Sequence, residues 1–253
     1  MNTAVKSSYP SRWQINMNRR AFCSALFIGA MSLNVWAGDD GLGVSFANNT
    51  RVVYQSDQAS VSIQVNNDSP KTYLLHAKVI HPNEAETFSR EFHFNPGVLE
   101  LGPEQKRTIT LRRIGGDFPT DRETLRYVMG TFIPLADNKG QKTPDVALAL
   151  MLRMKLFIRP ASLQMEDAVD ANADKLEFSL QNGRLTIKNP TPYYLTFNEI
   201  TTNTGEAVLT GDARMIAPFD SVTVELKQPK ISKIRWTLVN DGGYFTPPIE
   251  RGI

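Results

Sequence analysis

Cysteine is almost missing from this chain: among 253 residues there is one, Cys23. No intramolecular disulfide and no thiolate metal cage can form. Histidine is scarce, with only His76, His81 and His93. The formal charge of +2 lacks the basic excess expected of a nucleic-acid binder. The 16 Gly and 15 Pro are an ordinary share, which excludes collagen-like or low-complexity character. Signatures of chemistry are missing too: there is no GxSxG, HExxH, CxxC or P-loop, and Gly41-Leu42-Gly43 lacks the rest of a dinucleotide fingerprint. Residues 81–86 offer oxygens to a metal but read as a polar turn, and nothing arranges Ser, His and Asp as a triad. No catalytic residues, metal site or cofactor are expected, and an enzyme is the minority reading.

What is present can fold. At 41% hydrophobic and 21% charged, the chain can build real cores. Its length suits two domains of about 100 residues plus a short extension. The extension is at the front. Residues 1–20 carry Lys6, Arg12, Arg19 and Arg20 and no acid; a charge-free apolar run follows from Ala21, and Val35-Trp36-Ala37 precedes Gly38-Asp39-Asp40. This describes a secretory signal, residues 1–37, cleaved after Ala37. Met17 offers a second start, since Met17-Asn18-Arg19-Arg20 is a more usual basic region. The run is short and interrupted for a membrane anchor. Cys23 leaves with it, and the formal charge of +2 becomes −2. A secreted chain without disulfides must then be stable on packing alone.

Beyond Gly38 the chain reads as strands. Residues 60–65 (SVSIQV) alternate strictly and stop at Asn66-Asn67-Asp68-Ser69-Pro70; residues 73–80, 92–94, 107–111 and 125–133 follow, each ended by a turn cluster. Period-two runs with turns every 8–12 residues or so are the pattern of an all-β sandwich. Residues 161–174 are polar and acidic, as expected of a linker. A second series then begins, with 176–180 and 184–188 around Asn182-Gly183, a strong hairpin signal, followed by 193–200, 207–209, 221–226 and 233–239.

Residues 146–158 stand apart as a long apolar strand ending at Arg159-Pro160. Val146, Leu148, Leu150 and Leu152 put bulky groups on one face, while Ala147, Ala149 and Met151 point to the other. A central core strand is the plain explanation. The sharper one is an edge strand whose bulky face is offered to another protein's open sheet, and which would aggregate unless capped. Four buried aliphatic side chains contribute about 6–12 kcal/mol gross.

Five segments then resemble one family, the periplasmic chaperones of the chaperone–usher pilus pathway. Thr50-Arg51-Val52-Val53-Tyr54 resembles its TRVxY strand. Pro119-Thr120-Asp121-Arg122-Glu123-Thr124-Leu125 resembles PxDRESLF, and Lys155-Leu156-Phe157-Ile158-Arg159-Pro160 resembles KLFYRP. Asn189-Pro190-Thr191-Pro192-Tyr193-Tyr194-Leu195 resembles NPTPYYLT, and Val239-Asn240-Asp241-Gly242-Gly243 resembles INDYGG. The resemblance implies two immunoglobulin-like β-sandwich domains in a boomerang arrangement, residues 38–160 carrying the donor strand and 161–253 the second domain. It implies an ATP-independent periplasmic chaperone that lends a strand to pilus or fimbrial subunits and delivers them to an outer-membrane usher. Val146, Leu148, Leu150 and Leu152 then match the donated row, Arg51 and Lys155 the anchor for the subunit's C-terminal carboxylate, and Glu123, Arg159 and Asp241 a charge network fixing the interdomain angle. The spacing from Tyr127 to Val146 resembles the short-loop subgroup. Arg126 stands where the family commonly has an aromatic. A free donor edge could be capped by a second copy. The alternative is a secreted adhesin or carbohydrate-binding sandwich, for which Tyr193 and Tyr194 are the clustered aromatics.

Overall fold

A computed structural model describes residues 43–47, 50–82, 85–135, 148–228 and 230–253. The expected signal segment, Cys23, both candidate start residues and Val146 lie outside the described residues. Strands dominate, and the described helices are short 3-10 turns.

Among the described residues the first sandwich uses nine strands: β1 Val44–Phe46, β2 Arg51–Gln55, β3 Ser60–Asn67, β4 Tyr73–Ile80, β5 Phe92–Asn95, β6 Val98–Leu101, β7 Lys106–Arg113, β8 Thr124–Pro134 and β9 Leu150–Arg159. They form a four-stranded sheet, β1-β3-β7-β5, and a five-stranded sheet, β2-β9-β8-β4-β6. Alternation decides the facing. In β3, Ile63 and Val65 are fully buried while Ser62 and Gln64 are exposed; Ile109 and Leu111 of β7 do the same. Opposite them lie Leu75, Val128, Phe132, Leu156 and Ile158 of the other sheet, which close one core. At Gly130 a Cβ would meet the Phe46 ring at 2.8 Å, so the sheets approach closely there because no side chain intervenes.

The second sandwich uses β10 Glu177–Gln181, β11 Arg184–Lys188, β12 Leu195–Thr202, β13 Met215–Ile216, β14 Ser221–Glu225, β15 Lys233–Leu238 and β16 Ile249–Gly252. Its sheets run β10-β11-β14 and β13-β12-β15-β16. Asn182 and Gly183, both at positive φ (51° and 76°), close the β10–β11 hairpin in the conformation that an Asn-Gly pair adopts readily. Trp236, Leu185, Ile187, Leu195 and Phe197 anchor its core.

Three strand expectations need correction. Residues 161–174 are not a free polar linker: two 3-10 turns fold there, Ala168, Val169 and Ala173 are buried in the second core, and the Trp236 indole donates to the Ala173 carbonyl at 3.0 Å. The small alanines and Val169 let this segment pack while Glu166, Asp167 and Asp174 face water. Residues 207–209 form only an isolated bridge, Ala207 to Thr201. Among the described residues the long apolar run enters regular pairing at Leu150, and it is only partly an edge.

Candidate functional site

Strand β9 lies between β8, which pairs with it antiparallel from Leu150 to Ile158, and β2, which pairs parallel with Lys155 to Arg159 alone. Among the described residues, the side of β9 away from β8 is therefore unpaired in the sheet over Leu150 to Met154. The even row runs Leu148, Leu150, Leu152, Met154, Leu156, Ile158 on the core-facing side. Met154, Leu156 and Ile158 are buried, Leu150 and Leu152 are half-buried at the rim of the same core, and Leu148 is 72% exposed. The apolar row outruns its own sandwich. On the other face Met151 is 69% exposed, and Arg153 lies over the Tyr127 ring while pairing with Glu86 at 3.1 Å.

Where the open stretch ends, Arg51 of β2 and Lys155 of β9 are direct register partners. Parallel pairing at the ordinary strand spacing of about 4.8 Å sets these like charges side by side. Arg51 is buried. Its Nη1 donates to the Val239 carbonyl at 2.6 Å and its guanidinium lies 5.7 Å from the Phe157 ring centre, but its Nε is buried with no hydrogen-bond partner among the described residues. Burial pushes this guanidinium down to about 10, against the pull of the Asp241 and Glu123 carboxylates. Lys155 Nζ donates to Thr196 Oγ1 at 3.3 Å.

Four residues further along β9 the electrostatics are the opposite. Arg159, 1% exposed, donates from Nε to Glu123 Oε1 at 2.7 Å and through Nη1 and Nη2 to both Asp241 oxygens at 2.7 and 2.9 Å. Burial alone would lower Arg159, but the hydrogen bonds to Asp241 and the field of Glu123 hold it firmly charged. Burial also pushes the Glu123 carboxyl up, opposed by Arg159 and by the Tyr194 N–H donating to Oε2 at 2.8 Å. The network joins first-sandwich residues (Glu123, Arg159) to second-sandwich residues (Asp241, Tyr194), and the Glu123 N–H donates to the Pro192 carbonyl at 2.9 Å. Arg122 is more exposed, pairs with Asp121 at 2.8 Å and lies over the Phe219 ring.

Local sequence explains why the second-sandwich groups sit where they do. Asn189 is fully buried; its amide donates to the Tyr193 and Ala217 carbonyls at 2.8 and 3.0 Å and its Oδ1 accepts from the Thr191 N–H and hydroxyl. That closes the two-proline turn and delivers Tyr193 and Tyr194 inward. Tyr193 is buried with its hydroxyl on the Leu163 carbonyl at 2.9 Å, and Tyr194 stacks on Phe157 at 5.5 Å. This geometry leaves no exposed aromatic platform at these two residues, so the adhesin reading loses its anchor.

The structure thus brings Arg51 and Lys155 together, joins Glu123, Arg159 and Asp241, and sets Leu148, Leu150 and Leu152 on one face. Sequence reasoning missed Thr196, the Val239 carbonyl, and Phe157 with Tyr194. Thr196 follows directly on the NPTPYYL segment; a backbone carbonyl has no sequence signal. Arg126, read only as a departure from the family, holds Glu91 through two bonds of 2.8 and 2.9 Å.

Fold and site define a two-sandwich β protein that presents an unfinished sheet edge beside buried positive charge. Residues 46–164 match the family described as pili and flagellar-assembly chaperone, PapD N-terminal domain, and residues 171–248 match the pili assembly chaperone PapD, C-terminal domain. The chain is 32% identical to the chaperone protein FimC of Escherichia coli O6:H1 over 228 residues, 89% of this chain and 91% of that one. It is 27% identical to the chaperone protein LpfB of Salmonella typhimurium, over 90% and 95%. Among solved structures, the E. coli chaperone DraB superposes with a TM-score of 0.70 at 28% identity, covering 81% of this chain and 96% of that one. The Salmonella enterica SafA pilin–SafB chaperone complex gives 0.71 at 25%, covering 83% and 96%. The chain belongs to the PapD/FimC family of pilus-assembly chaperones. It is a periplasmic, ATP-independent chaperone of the chaperone–usher pathway, not an enzyme, and works by donor-strand complementation of pilus subunits.

Proposed function

We propose that the free edge of β9 is the strand lent to the subunit, with Val146, Leu148 and Leu150 filling the subunit's groove and Leu152 extending the row. Main-chain groups of the edge supply hydrogen bonds and alternate side chains supply the apolar contacts. Arg51 and Lys155 receive the subunit's C-terminal carboxylate, and Glu123, Arg159 and Asp241 hold the two domains, 38–160 and 161–253, at the angle this requires. Residues 1–37 act as the secretion signal, cleaved after Ala37. The loaded chaperone docks on an outer-membrane usher, and an empty edge is capped by a second copy.

The observation that carries this reading is the buried Arg51, its Nε without a hydrogen-bond partner among the described residues, beside Lys155, where the unpaired stretch of β9 ends. A carboxylate there gains charge-assisted hydrogen bonds of roughly 1.5–3 kcal/mol each. The test is co-purification of a pilus subunit from periplasm with Arg51→Ala, Lys155→Ala and Leu148→Glu. Each loses most of the complex: the first two by removing an anchor, the third by placing a charge in an apolar groove. Undiminished complex with both cation variants rejects the anchor.

A further inference from the structure

The chain passes from the first sandwich to the second through a short crossing. After Arg159 it leaves β9 through Pro160 and enters a 3-10 turn, Ala161–Leu163. The first sandwich holds this turn by two side-chain bonds: the Ala161 N–H donates to Ser56 Oγ at 2.9 Å, and the Ser162 hydroxyl donates to the Thr120 carbonyl at 2.9 Å. Both are exposed, where water competes for the same groups, so each holds weakly. From the second sandwich the Tyr193 hydroxyl donates to the Leu163 carbonyl at 2.9 Å. Tyr193 is 5% exposed, and the Arg159 guanidinium lies over its ring, 5.0 Å from the centre. Its two chain neighbours both bind Glu123: the Pro192 carbonyl accepts from the Glu123 N–H at 2.9 Å, and the Tyr194 N–H donates to Glu123 Oε2 at 2.8 Å. Residues 192–194 thus grip Glu123 by the backbone, Arg159 by a ring and the crossing segment by a hydroxyl. Asn189 fixes the grip, since its amide donates to the Tyr193 carbonyl at 2.8 Å, and Pro190 and Pro192 restrict the backbone on either side of Thr191.

We propose that Tyr193 is a positioning residue that fixes the angle between the sandwiches, by coupling the Glu123–Arg159–Asp241 network to the crossing segment 160–163. The inference rests on the reading above that this network sets the interdomain angle, and it adds a second, uncharged tie. Two ties at separate points resist a rotation that either alone permits. Tyr193 supplies one contact to each from a single side chain with two rotatable bonds, so little freedom is lost in making both. The chemistry explains why tyrosine serves here: phenylalanine offers Arg159 the same ring face but no donor for the Leu163 carbonyl, and serine offers a donor but no ring.

The test measures orientation in the chaperone purified from periplasm. Residual dipolar couplings of the backbone amides in β3 and β7, and in β12 and β15, give one alignment for each sandwich; equal alignments mean one rigid body. Wild type gives equal alignments. Y193F removes the hydroxyl and keeps the ring in its core, so the fold is retained. It raises the fraction of molecules with the sandwiches swung apart about fivefold, the worth of one hydrogen bond, and the alignment of the second sandwich shrinks relative to the first. D241N, which weakens the network, has the same effect. If Y193F keeps equal alignments while D241N loses them, Tyr193 is a core residue only, and the proposal fails while the network reading stands. If D241N keeps them, the network reading fails and takes the coupling with it. The amide shifts of β11 and β14 stay at their wild-type values in Y193F; if they move with the alignment, the variant has damaged the second core and the positioning role is rejected.

Discussion

Two buried arginines lie beside the same pair of parallel strands, and they are used in opposite ways. Arg159 has two carboxylates and three short charge-assisted bonds, all internal. Among the described residues, Arg51 has one backbone carbonyl, an aromatic ring and an Nε with no hydrogen-bond partner, and no carboxylate lies within ion-pair distance. Burial costs free energy at both, but only Arg159 is compensated within the folded chain. On the function proposed above, the difference separates a clamp from a receptor: the satisfied charge fixes geometry, and the unsatisfied one is left for a ligand.

The sharpest way to break this contrast is to remove the clamp. Arg159→Ala leaves Glu123 buried and unpaired and is expected to cost about 3–5 kcal/mol, read as a fall in the urea midpoint. Loss of less than about 1 kcal/mol would mean that the network is decorative. Arg51→Met should act in the other direction. It removes a charge whose folded value is depressed to about 10, so that at neutral pH the folded state bears the cost of keeping it ionised. The empty chaperone should gain about 1–2 kcal/mol, a rise of a few degrees in Tm, while subunit capture is lost. A destabilised variant contradicts the receptor assignment.

The smallest effect is a reference within the first sandwich. Burial would raise Glu91, but hydrogen bonds from Arg126 and Ser89 outweigh it and hold the carboxyl below its ordinary value. Its contribution is therefore present above that ordinary value and is lost as pH falls through the lowered one. Glu91→Gln should remove less than about 1 kcal/mol at neutral pH, and the variant and wild-type stability curves should converge at acid pH. A constant offset down to acid pH would show that the pair acts by packing.

How far this could be read from residues alone varies along β9. Alternation marked Val146, Leu148, Leu150 and Leu152 as one bulky row, and its described members share a face with Met154, Leu156 and Ile158. It could not separate the buried half, Met154 to Ile158, from the open half, because the residue types are the same; only the length of β2 does that, and β2 is remote in sequence. The Asn182-Gly183 hairpin was legible because a two-residue turn demands that chemistry. The segment around Ala168 and Val169 was not, since its acids masked the few apolar residues that bury. Arg51, Lys155 and the Glu123–Arg159–Asp241 triad were legible through family resemblance, and their spacing alone would have left them as ordinary surface charges. Thr196 and the Val239 carbonyl depend on a register between sandwiches that no local pattern encodes.

The central claim is that one edge of β9 is unfinished until a subunit completes it, and hydrogen exchange measures this directly. In the free chaperone, the amides of residues 150–154 that point away from β8 should exchange at nearly open-chain rates, while their neighbours bonded to β8 are protected. In a co-purified chaperone–subunit complex the first set should become protected as well. If those amides are already protected in the monomer, or stay unprotected with a subunit bound, β9 is not the lent strand.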